Sequence, residues 1–173
     1  MAIDAAEFRK VLGQFASGVT IVTTAHEGVL FGMTASSFAS VSLDPPLVLF
    51  CADKRARTGT AVGSAGMFAV NILDEHQRDI AELFAAKDTD KRRSDKLSAI
   101  GRSATTGAPV LDCALAWLDC RVDRSIDAGD HIIYVGLVVA SAVRGEASAP
   151  LVYWHGNYRH VEAETTERPR RSD

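Results

Sequence analysis

The stretch MTASSFASVSLDPPLVLF, residues 33–50, constrains the fold more than any other. Side chains alternate across a strand, so residues of one parity share a face. Met33, Ala35, Ala39, Val41 and Leu43 form an apolar set, broken only by Ser37, and are expected to face a core. Thr34, Ser36, Ser40 and Ser42 form the opposite set, small and hydroxylated, with one ring among them at Phe38. A single long extended run is expected from Val29 onward. Pro45 and Pro46 are expected to end it, because proline removes a ladder donor and restricts the residue before it.

Further strands are read from β-branched or apolar runs at VTIVTTA, LVLFCA and MFAVNIL. LAWLDCRVDRSI alternates Leu118, Cys120 and Val122 against Asp119, Arg121 and Asp123, which predicts one wet face. After the turn DAGDH, the run IIYVGLVVASAV has little polar alternation and is expected to be buried on both sides. PLVYWHGNYRHVE supplies a last strand or two. Helices are expected where Asp4 and Glu7 precede Phe8, Val11, Leu12 and Phe15, with Gly18 as the stop. A second is expected where Asp74 and Gln77 precede Ile80, Leu83 and Phe84. Residues 87–107 are polar and read as an exposed loop with at most a short helix. About six or seven strands with few helices favour an antiparallel barrel over a doubly wound sheet. No GxGxxG follows a strand, which disfavours a Rossmann dinucleotide site.

At 173 residues the chain reads as one domain over residues 1–161, with a charged, disordered tail at 162–173. A net charge of −3 gives no reason to expect a nucleic-acid partner, which needs a concentrated basic face. No apolar run approaches a membrane span and no secretory signal opens the chain, so a soluble, cytoplasmic protein is expected. Cys51, Cys113 and Cys120 are odd in number, lack CxxC spacing, and read as reduced packing residues. The five histidines show no metal-site pattern, so metal chemistry is not expected.

Two features carry candidate chemistry. The serine-rich strand leaves backbone approachable and offers hydroxyls, which suits a flat heteroaromatic ligand with a polyol tail. It also suits a solvent-facing strand, and both readings stand. CADKRARTGT, residues 51–60, places Lys54, Arg55 and Arg57 before an expected helix that Thr58 or Thr60 would cap, a ready anion site or else a solvated basic loop. His131 lies in the turn GDH with no base or nucleophile evident beside it. No GxSxG is present, so hydrolase chemistry is disfavoured, whereas a redox cofactor would bring its own reactivity.

The pieces FASGVTIVTT, GMTASSFASVSLDPPLVLFCADK, FAVNIL, GDHIIYVG and PLVYWHGNY, in this order, resemble the flavin reductase-like family with the FMN-binding split-barrel fold. The resemblance spans about Phe8 to Tyr158, and is closest to the small reductase components of two-component flavin-dependent monooxygenases. It implies a mainly β, antiparallel split barrel with a few peripheral helices. It implies a flavin ring along Gly32, Met33, Thr34, Ala35, Ser36 and Ser37, with Cys51, Ala52 and Asp53 at the ring or ribityl chain. Lys54, Arg57 and Thr58 would lie near the phosphate, and Phe84 would close one side. His131 and Tyr158 would lie around the nicotinamide, with His131 orienting it. A homodimer is implied as well.

The function so implied is an NAD(P)H:flavin oxidoreductase. It would reduce FMN or FAD with NADH or NADPH and pass reduced flavin to a partner oxygenase. The alternative is a non-catalytic flavin carrier or sensor on the same fold. Pyridoxamine phosphate oxidation on this barrel is opposed by the GDH and PLVYWHGNY pieces. Where many relatives carry DKF and glycine, this chain carries DKRRSDKL, which leaves the flavin edge there open.

Overall fold

The computed structural model describes residues 3–86, 90–145 and 148–161. It begins with α1 (Ala5–Leu12), β1 (Ser17–Gly18), β2 (Thr20–His26), β3 (Val29–Ala35), β4 (Ala39–Leu43) and β5 (Pro46–Asp53). Then come α2 (Arg57–Ala65), β6 (Met67–Ile72), α3 (Arg78–Ala85), α4 (Asp90–Ile100), β7 (Gly101–Ser103) and β8 (Pro109–Leu111). The long strands β9 (Ala116–Ala128) and β10 (His131–Val143) precede the hairpin of β11 (Val152–Trp154) and β12 (Asn157–Arg159). The predicted tail, 162–173, lies outside the described residues. No helix among them is long and apolar enough to cross a membrane.

Seven strands form one antiparallel sheet in the order β3-β2-β6-β9-β10-β5-β4. Its two edges, β3 and β4, are consecutive in the chain and joined by residues 36–38 alone. Held flat, the edges of such a sheet would stand about 29 Å apart at ordinary strand spacing. The linking residues reach about 14 Å at full extension. The sheet therefore has to curl until its edges approach, giving an antiparallel barrel split along a seam.

Alternation on β2 divides the core. Val22 packs with Phe50, Phe68, Val70, Tyr134 and Val62 of α2, while Ile21 meets Phe84, Leu97, Leu73, Leu111 and Leu151. Phe50 lies edge-on to Phe68 at 4.9 Å and stacks on Tyr134 at 5.3 Å. Each such ring contributes about 2 kcal/mol by burial.

Several expectations change. The run from Val29 is not one strand: β3 ends at Ala35, and β4 forms a separate hairpin with β5 through Asp44 and Pro45, joined by a cis peptide. Pro46 opens β5 instead of ending a strand, and Leu43, expected in the core, is 95% exposed beside the turn. Asp119 is fully buried, because the loop before β8 folds over it: its carboxylate accepts the Thr106 N–H at 2.8 Å and the Thr106 hydroxyl at 2.5 Å. β10 is not buried throughout. It pairs with β5 only from His131 to Leu137, and beyond that Val139 and Val143 are exposed.

Residues 87–107 hold the eleven-residue α4, anchored by the fully buried Leu97. Asp4 caps α1 as expected, accepting the Ala6 and Glu7 amides, but the helix stops at Gly13 and Gly18 belongs to β1. The second capping pattern is half realised: Gln77 Oε1 accepts the Asp74 N–H at 2.8 Å, while the Asp74 carboxylate takes the His76 N–H and Arg144. Helix α3 then starts at Arg78, after Gln77.

Candidate active site

The seam opens into a cleft of about 760 Å³. Met33, Thr34, Ala35, Ser36 and Ser37 line one wall, and Cys51, Asp53 and His131 another. Arg55, Ala56, Arg57 and Thr58 close one end, and Phe84, Ala85, Ala86 and Arg93 cover a side.

The hydroxyls of the serine-rich stretch do different jobs. Ser37 Oγ donates to the Cys51 carbonyl and accepts the Cys51 N–H, both at 3.1 Å, imitating a ladder pair where the chain crosses the seam. Thr34 Oγ1 donates to the Ala81 carbonyl at 2.6 Å, tying β3 to α3. Ser36 remains exposed on the cleft wall. Ser40 and Ser42 sit on β4, beyond the break, so the row is not a continuous bed.

After β5 the chain turns on Asp53. Its carboxylate accepts the Arg55 N–H at 2.8 Å and the Arg55 side chain at 2.6 and 3.0 Å. Those bonds from Arg55 hold the Asp53 carboxyl well below the usual carboxylate range. Helix α2 begins at Arg57 with Ala56 as its N-cap and no side chain capping it. Neither Thr58 nor Thr60 caps, since both lie inside the helix, and the buried Thr58 lines the cleft. First-turn amides have no intrahelical acceptor, so this end presents donors. Gly59 makes the approach possible: a Cβ there would lie 2.8 Å from Ala52 Cβ.

His131 opens β10 directly across from Asp53. Its partner is the preceding residue: Asp130 Oδ1 lies 2.7 Å from His131 Nδ1, and this bond holds the Asp130 carboxyl below its usual value. Arg93 reaches back from α4, its Nε donating to the Leu83 carbonyl at 3.4 Å and an Nη to that of Ala86. It thereby covers the C-terminal carbonyls of α3.

The cleft thus gathers Met33, Thr34, Ala35, Ser36, Ser37, Cys51, Asp53, Arg57, Thr58, Phe84 and His131 from the expected set. Four expected residues lie elsewhere. Gly32 is buried, where a Cβ would meet Phe84, and it lines a smaller neighbouring cavity. Ala52 is core, 1% exposed. Lys54 pairs with Asp127 at 2.7 Å, while its N–H donates to the Asp130 carbonyl at 3.0 Å, clamping the loop before α2 to the His131 turn. Tyr158 packs against Tyr153 at 5.5 Å and under Arg78, away from the cleft. Arg55 also lines the cleft, as a member of the basic run singled out as a candidate anion site, whereas Ala56, Ala85, Ala86 and Arg93 were not among the expected residues. Arg93 lies in a segment too polar to show a core-facing side.

An antiparallel barrel split along a cationic cleft is the class that this fold and site define. The chain belongs to the flavin reductase-like family: the pattern of the flavin reductase like domain matches residues 12–162. It is 40% identical over 166 residues to the reductase subunit HsaB of a flavin-dependent monooxygenase from Mycobacterium tuberculosis, covering 95% of this chain and 86% of that protein. It is 41% identical over 157 residues to an NADH-dependent flavin reductase from Rhodococcus, covering 89% and 85% of the two chains. A solved NADH:FAD oxidoreductase from Streptomyces globisporus, in complex with NAD and FAD fragments, superimposes with a TM-score of 0.86 at 34% identity, covering 94% of this chain and 96% of that one.

Proposed function

We propose that the chain is an NAD(P)H-dependent flavin reductase that reduces FMN or FAD and supplies the reduced flavin to a partner monooxygenase. The observation that carries the reading is the seam cleft, with mostly small side chains along one wall and a cationic helix start that no side chain caps at its end. That pairing fits a planar ring with an anionic tail. Ser36 and the backbone at 35–37 would meet the polar edge of the ring. The α2 amides with Arg57 would hold the phosphate, and Phe84 would cover one side.

A flavin held there would supply the redox chemistry, as acceptor of a hydride and carrier of the electron pair. The chain's own work is alignment and exclusion of water. His131, held by Asp130 on the side of the cleft facing β3, would orient the nicotinamide. No side chain of the cleft is asked to move a proton.

The proposal includes a homodimer in the cytoplasm, where reduced nicotinamide is supplied. Helix α1 and the turn after it support the dimer: Phe8, Val11 and Leu12 on the helix and Phe15 just beyond it are exposed, Phe15 by 78%. Light scattering on the purified protein checks the assembly. Activity is tested by following nicotinamide absorbance with FMN or FAD in excess. Consumption that depends on both flavin and protein is expected; yellow protein that oxidises no nicotinamide would instead mark a flavin carrier.

A further inference from the structure

A second cavity of about 210 Å³ lies beside the main cleft, between β3 and α4. Arg57 and Arg93 line both, so the two spaces meet at a pair of guanidinium-bearing residues. Phe31 contributes an aromatic side chain from β3, and Lys91, Ser94 and Asp95 line it from α4. The chemistry is mixed. A seat for a bare anion would hold donors alone, whereas Asp95 and Ser94 ask for a ligand that also donates hydrogen bonds. An aminopurine carries a flat face for Phe31 and an amino group for such acceptors, and its phosphate would fall at the arginines.

We infer that this cavity is an adenylate subsite, and that the chain takes its flavin as FAD in preference to FMN. The inference rests on the flavin reductase reading and specifies its substrate. The pyrophosphate would cross at Arg57 and Arg93, leaving the ring in the main cleft and the adenosine in the smaller one.

The test begins with the unaltered protein, titrated with FMN and FAD by fluorescence quenching, with AMP as competitor. FAD is expected to bind about tenfold more tightly than FMN. AMP is expected to weaken FAD binding down to the FMN level and to leave FMN binding as it was. In Ser94→Trp, which fills the cavity, and in the exposed-site variant Lys91→Ala, the FAD-to-FMN ratio is expected to fall towards one. Equal affinities in the unaltered protein would overturn the subsite while leaving the flavin reading intact. Failure of both flavins to bind would remove the flavin reading itself. If AMP and Ser94→Trp raise the KM for NADH and leave FAD affinity unmoved, the adenylate seat serves the nicotinamide nucleotide and the FAD assignment falls.

Discussion

Gly32 and Phe84 touch so closely that a methyl group on residue 32 would lie 2.6 Å from Phe84 Cε1. Phe84 is fully buried in the core beneath α3 and also lines the cleft, so this contact sets where that wall of the cleft stands.

Gly32→Ala is therefore expected to destabilise the fold by about 2 kcal/mol through overpacking. Urea unfolding reads the loss as a lower midpoint. Flavin affinity should drop with it, because Phe84 has to move.

Asp74 and Arg144 make a pH-dependent strut. Burial works against the charge on Asp74, but hydrogen bonds from Ser148, the His76 N–H and Arg144 outweigh it and hold the carboxyl below its ordinary value of 3.8. The folded value is thus the depressed one. The stabilisation is fully present above the unfolded value and is lost as pH falls through the folded value. Asp74→Asn is expected to cost about 2 kcal/mol at neutral pH, the scale of a hydrogen bond to a charged group. The gap to the unaltered protein should narrow below about pH 4, which unfolding midpoints across the acid range would reveal.

Cys51 and Cys120 should separate by reactivity. Cys120 is buried and its thiol is pushed up to about 12, mainly by that burial, whereas Cys51 is half-buried on the cleft wall. Iodoacetamide at mildly alkaline pH, followed by peptide mass spectrometry, is expected to label Cys51 in the native protein and Cys120 only after denaturation. Excess flavin should shield Cys51.

His131→Ala is expected to raise the KM for the nicotinamide by about tenfold with flavin Kd nearly constant. Steady-state kinetics and a flavin titration together read the split. Equal losses in both would remove the orienting role.

Strands were readable where local pattern and environment agree. β2 shows its β-branched character, and β9 its alternation from Cys120 to Asp123, with Asp119 the exception. The break after Ala35 falls where Ser37 and Phe38 depart from the alternation, but the pattern resumes at Ala39, so the run reads as one strand; the need to link opposite sheet edges is what interrupts it. The cleft was readable wherever backbone proximity in sequence carries into space, as for residues 33–37 and the stretch from Asp53 to Thr58. It failed at Lys54, whose partner Asp127 is distant in sequence, and at Arg93, whose helix shows little apolar face beyond Leu97.

The barrel resembles a cask whose first and last staves, β3 and β4, are joined by the short link 36–38, with Ser37 stitched to Cys51 on the neighbouring β5. A guest lodged between them acts as the missing hoop. Thermal resistance should therefore climb with ligand concentration, and each departure of product should leave the vessel briefly slack.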